Sequence, residues 1–169
     1  MTFQIGEKVV YPNQGVGTIE NISVRSFGSQ MERFYLLRLA YNSLTVMIPF
    51  TQASQIGLRK VTRAAEVAKV LDLLAKGRCK CAADWKVRFK ENMDKMTSGR
   101  LLEVAEVFKV LVCIQSEKPL SFREKKQLDR ARQLLIGEVS AARALSETDA
   151  IELMGKALGK SNLKFPEAL

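Results

Sequence analysis

Histidine is absent from the 169-residue chain, which removes Ser-His-Asp and Cys-His catalysis and most transition-metal chemistry at once. The three cysteines, Cys79, Cys81 and Cys113, are too few and too odd in number for a disulfide framework and suit reduced thiols. Cys79 and Cys81 flank Lys80 in RCKCA, but a lone C-x-C pair with no second pair is a weak metal signal. No run of about 18 apolar residues occurs, and the N-terminus lacks the basic-then-apolar pattern of a signal peptide. Neither a P-loop nor a G-x-S-x-G motif is present. These absences point away from an enzyme, a metal or cofactor site, a small-molecule substrate and a membrane span. They lead us to expect a cytoplasmic monomer.

What is present is a chain able to bury a core, with 47% hydrophobic residues, and an excess of positive charge: 27 Lys and Arg against 18 Asp and Glu, a net of +9. A basic balance of this size attracts polyanions, of which nucleic acid is the usual one for a protein of this kind.

The pattern of apolar residues changes period along the chain. From Phe3 to about Lys60 short runs rich in Val, Ile, Leu and Tyr alternate with the turn sequences PNQG (12–15), FGSQ (27–30) and YNS (41–43), as antiparallel strands do. The strands KVVY, VGTIENISVR, MERFYLLRLA and LTVMIP suit a small, partly open barrel of SH3 or Tudor type. After Val61 the period becomes helical, and five helices are expected, within 62–76, 84–96, 99–115, 121–143 and 146–158. Asp84, Ser121 with Glu124, and Ser146 with Asp149 carry N-capping logic. The fold class is therefore α+β with two domains, an antiparallel β barrel over 1–60 and a compact five-helix domain over 61–158. The remaining 159–169 has no clear period and is expected to be a flexible tail.

Positive charge concentrates in two places within the helical half. Residues 76–100 hold eight basic side chains against three acidic, and residues 118–132 hold six against two. The first cluster contains the single tryptophan, Trp85. At about 100° per residue, Trp85, Phe89, Met93 and Met96 share a stripe, with Lys86 and Lys90 along one border and Arg88 and Lys95 along the other. Two readings of Trp85 stay open: the first rung of a buried stripe, or an exposed ring that wedges against a base step while the cations hold phosphates. In the second cluster, Lys125, Asp129 and Arg132 face one side of a long helix, and Lys126 and Arg130 another.

In the β half, strand alternation sends Leu44, Val46 and Ile48 to one face and Thr45, Met47 and Pro49 to the other. With the first set inward, Met47 and Pro49 are exposed at a strand end, a composition suited to a partner-binding edge. Ile22 and Val24 are expected to point inward and Arg25 outward, bordering the same surface.

The stretches GEKVVYPNQGVG (6–17), LTVMIP (44–49), DWKVRFKENMDKM (84–96), SGRLLEVAEVFKVL (98–111) and LSFREKKQLDRARQLLIGE (120–138) together resemble the CarD/CdnL family of bacterial RNA polymerase-binding transcription regulators. The resemblance implies a Tudor-like domain that binds the polymerase β subunit, with contacts at Arg25, Met47 and Pro49. It also implies a helical domain that touches promoter DNA at the upstream edge of the transcription bubble and helps keep the bubble open. The positions implied for DNA are Trp85, Arg88, Lys90 and Lys125, with Lys86 beside them, and the protein would reach the nucleoid through polymerase. Some members carry arginine where this chain has Met47, and many carry a basic residue where it has Val87. A different expectation, from the residues alone, is an RNA-binding module that joins a barrel of ribosomal type to a basic helical domain.

Overall fold

The computed structural model describes residues 2–77 and 82–169, and the expected change of period at residue 61 falls where a sheet gives way to helices. Five antiparallel strands, β1 (Lys8–Tyr11), β2 (Gly15–Phe27), β3 (Gln30–Leu39), β4 (Thr45–Pro49) and β5 (Arg59–Lys60), form one sheet in the order β4-β3-β2-β1-β5. The sheet is open, with β4 and β5 at its edges. Its inner face buries Val9, Ile19, Tyr35, Leu37, Leu39 and Ile48. Tyr35 anchors this core: its ring stacks on Phe50 at 4.0 Å between centroids, and its hydroxyl accepts a hydrogen bond from the Phe3 N–H at 3.1 Å.

Two inward assignments do not hold. Val24 lies opposite Arg33 but is 51% exposed. The β2–β3 hairpin runs on past Pro49, the last residue of β4, which pairs with Phe34. Beyond that point only two strands remain, and among the described residues no third covers them. Leu44 precedes β4, lies in the turn after β3 and is also exposed. The hairpin arm carries exposed Phe27 and Met31 as well.

Between the sheet and the bundle come a 3-10 turn at Phe50–Gln52 and α1 (Ala53–Ile56), which close the β unit. The helical half then comprises α2 (Ala64–Lys76), α3 (Trp85–Ser98), α4 (Leu101–Glu117), α5 (Phe122–Arg143) and α6 (Glu147–Gly159). All three expected caps form: Asp84 accepts from the Lys86 N–H, Ser121 from Glu124 and Ser146 from Asp149. Each cap satisfies a backbone donor that the first helical turn leaves without a partner. The α4 helix is central, with nine buried residues, and Phe108 and Leu111 pack among Leu74, Leu128, Leu135, Met154 and Leu158.

The segment after α6 is docked, contrary to the loose tail expected. Phe165 lies 5.3 Å from Phe108 between ring centroids, and Arg132 donates to the Pro166 carbonyl at 2.9 Å. Ser161 accepts from the buried Lys109 ammonium at 2.9 Å, which also caps the last turn of α2 through the Leu74 carbonyl. Among the described residues no helix is long and apolar enough to cross a membrane.

The PNQG turn seats the sheet on the bundle. Pro12 lies so close to Gly99 that an added Cβ there would come within 2.8 Å of it, and Gly99 holds a left-handed φ of 74° as the C-cap of α3. Glycine is therefore required at this position on two counts.

Candidate nucleic-acid and protein interfaces

The first turn of α3 is fixed from below by an ion pair. Arg88 is 5% exposed and meets Glu124 of α5 in a two-point fork, Nε to Oε2 at 2.7 Å and Nη2 to Oε1 at 2.8 Å. Its Nη1 donates to the Ala82 carbonyl at 3.3 Å, tying down the residues just before the helix. Glu124 is itself held, since its backbone N–H donates to the Ser121 cap. Bidentate Arg–carboxylate geometry is directional, so the pair sets the starts of α3 and α5 side by side.

This arrangement corrects the expected stripe. The buried face of α3 is Arg88, Asn92 and Met96, whereas Phe89 is half-buried and Met93 is 38% exposed. The guanidinium and the amide occupy the face expected for the apolar stripe, which turns Phe89 and Met93 towards the side. Arg88, expected among the phosphate contacts, instead lies beneath the surface and holds it in place.

Trp85, by contrast, is 37% exposed. Its direction around the helix is close to that of the buried face, but it sits in the first turn, where the bundle has ended. Lys86 and Lys90 are exposed on the same helix, and Lys125, next to Glu124, is half-buried at the start of α5. Lys90 follows one turn further along α3, and the Arg88–Glu124 pair sets the first turn of α3, with Trp85 and Lys86, beside the first turn of α5, with Lys125. Two helix N-termini meet there, and their partial positive charge adds to that of the lysines.

Sequence reasoning missed Phe122. It follows the Ser121 cap directly, just as Trp85 follows Asp84, and is 66% exposed with the Lys126 ammonium 4.8 Å from its ring centroid. The available signal was an aromatic residue immediately after an N-cap, flanked by cations, which occurs at both helix starts.

On the sheet, register places Arg25 opposite Glu32, Met47 opposite Leu36 and Pro49 opposite Phe34. Alternation then puts all six on the outer face, away from Tyr35, Leu37 and Ile48. Arg25 and Met47 are exposed and Pro49 is half-buried. Phe34 and Leu36 complete an apolar strip between them, extended by Phe27, whose ring centroid is 6.1 Å from that of Phe34. The run RFYLLRL carried this signal, because apolar residues on both faces mark a strand covered on both sides.

Arg78, Cys79, Lys80 and Cys81 lie outside the described residues, and Cys113 is half-buried in α4. Among the described residues no group of three or more His, Cys, Asp or Glu side chains is placed to hold a metal ion.

Comparison with known families divides the chain where the structure does: residues 3–62 match the CarD-like/TRCF RID domain and residues 69–155 match the CarD C-terminal domain. The chain belongs to the CarD/CdnL family. It is similar to the candidate transcription factor YdeB of Bacillus subtilis (strain 168), with 34% identity over 145 residues, covering 86% of this chain and 95% of YdeB. A solved structure, CdnLNt from Myxococcus xanthus, matches at 38% identity over 36% of this chain and 86% of its own, with a TM-score of 0.32. The CarD/CdnL family comprises transcription regulators that bind RNA polymerase, and its N-terminal domain is Tudor-like.

Proposed function

We propose that the chain docks on the RNA polymerase β subunit through Arg25, Met47 and Pro49 and stabilises the promoter open complex with the cationic end of its bundle. One copy acts per polymerase, and base sequence is read little. The observation that carries this reading is Trp85, exposed at a capped helix start, among Lys86, Lys90 and Lys125 and above the Arg88–Glu124 pair.

Each part has a distinct physical task. The lysines attract phosphates on either strand and give affinity without base discrimination. The indole offers a flat apolar surface to the base step at the edge of the bubble, where melting has already broken the stacking that a wedge must otherwise disrupt. Stacking on an aromatic ring contributes about 1–3 kcal/mol per base. Contact made only with melted DNA shifts the closed-to-open equilibrium, and a preference of about 1.4 kcal/mol shifts it tenfold. Docking on polymerase raises the local concentration of Trp85 at the fork, so weak contacts suffice.

Promoter opening followed by fluorescence, with and without the full chain, tests this function. A longer open-complex lifetime in its presence is expected. An unchanged lifetime, with the protein demonstrably bound to polymerase, would overturn it.

A further inference from the structure

Arg59 and Glu138 are separated by 79 residues and belong to different halves of the molecule, yet they form a two-point ion pair with both contacts at 2.7 Å. Arg59 lies in β5, the edge strand of the sheet, and Glu138 in α5. The same guanidinium donates twice to the Gly99 carbonyl, at 3.0 and 2.7 Å, where α3 turns into α4. The same carboxylate accepts from the Thr62 N–H at 3.0 Å, in the connection between sheet and bundle. Glu138 is buried, with 4% of its side chain exposed. Sheet edge, connecting segment, helix corner and long helix therefore converge on two side chains.

The other polar contacts between the halves are peripheral by comparison. Arg130 donates to the Asn13 carbonyl at 3.1 Å and Gln133 to the Tyr41 hydroxyl at 3.0 Å, both in exposed settings. Apolar seating of Pro12 on Gly99, and of Gly15 and Val16 on Leu134 and Gly137, joins the halves by shape, whereas a hydrogen-bonded ion pair adds a directional restraint. A planar guanidinium gripped on two sides resists rotation in its own plane.

We infer that Arg59 and Glu138 are positioning residues that lock the angle between the polymerase-docking face and the DNA-facing end of the bundle, and that this fixed angle lengthens the open complex. The functional half of the inference rests on the reading proposed above. Two binding surfaces reinforce each other only when their connection holds the second near its target while the first is engaged. A bundle free to swing would spend most of its time with Trp85 away from the fork.

The test uses the full chain carrying spin labels at Ser29→Cys on the hairpin tip and Glu117→Cys at the end of α4, with the three native cysteines replaced. Both label sites are exposed. Pulsed dipolar spectroscopy of this background is expected to give one narrow distance. Glu138→Gln removes the charge and keeps the size, while Arg59→Lys keeps the charge and loses the fork. Both are expected to widen the distance distribution at least twofold at a temperature where circular dichroism shows full helix content. In unlabelled protein the same substitutions should leave polymerase capture intact and shorten the open-complex lifetime severalfold.

An unwidened distribution in both variants would overturn the lock. Widening without a shorter lifetime would overturn its link to function. Failure of the reading itself shows elsewhere, as an unmodified chain that does not prolong the open complex, and leaves the distance result standing.

Discussion

On the outer face of the sheet Met47 lies beside Phe34, Leu36 and Pro49, and the cations Arg25 and Arg38 already meet carboxylates, Glu32 by register and Glu20 at 2.8 Å. At the starts of α3 and α5 stand two exposed rings, Trp85, followed along its helix by Lys86 and Lys90, and Phe122, with Lys125 close behind it and the Lys126 ammonium over its ring. The first surface gains by removing apolar area from water, at short range and with little dependence on salt. A surface of the second kind gains by releasing counterions from a polyanion, at longer range and with strong dependence on salt. On the function proposed above, one chain offers a protein-facing and a nucleic acid-facing surface, and the overall charge of +9 points only to the second.

The largest break in this contrast should come from beneath the bundle end. Glu124→Ala takes the carboxylate from the buried Arg88 guanidinium, and loss of one partner of such a pair costs about 3–5 kcal/mol. Urea unfolding should show that loss, and Glu124→Gln, which keeps a hydrogen-bond acceptor, should lose less.

Next in size is Met47→Glu. A carboxylate placed in an apolar contact is stripped of water without a partner, and polymerase capture should fail at every salt concentration while the circular dichroism spectrum stays unchanged. Retained capture would move the docking surface away from β4.

A smaller effect separates the two surfaces most cleanly. Lys86→Ala, Lys90→Ala and Lys125→Ala should each reduce the slope of log affinity for DNA against log salt by up to about 0.9 if each lysine neutralises one phosphate. Pro49→Ala, on the sheet, should leave that slope alone. Equal slopes for all four variants would erase the distinction.

Smallest should be Phe122→Ala, which removes the second ring and the cation–π contact of Lys126, itself worth about 0.5–1 kcal/mol at an exposed site. The open-complex lifetime should fall by less than for Trp85→Ala.

Much of the fold was legible because its signals are local. Asp84, Ser121 and Ser146 cap the helices where their sequences place them, since a capping side chain needs only the next turn of its own helix. Alternation likewise gave the correct facing of Met47 and Arg25. What was not legible depends on distant partners. Burial of Val24 turns on how far β4 extends, and burial of Arg88 turns on Glu124, 36 residues later. The two-residue strand β5 exists only because β1 pairs with it. The docked tail follows from Phe165 finding Phe108, which no periodicity announces. At the bundle end, the cations and Trp85 were visible in sequence, but the inversion of roles between Arg88 below and Trp85 above was not.

The most direct measurement is the open-complex lifetime with Trp85→Ala, run beside polymerase capture by the same protein. Capture should be retained and the lifetime should shorten about tenfold, corresponding to roughly 1.4 kcal/mol of contact made only in the melted state. An unchanged lifetime with capture intact would contradict the wedge and return Trp85 to the role of a half-covered core residue.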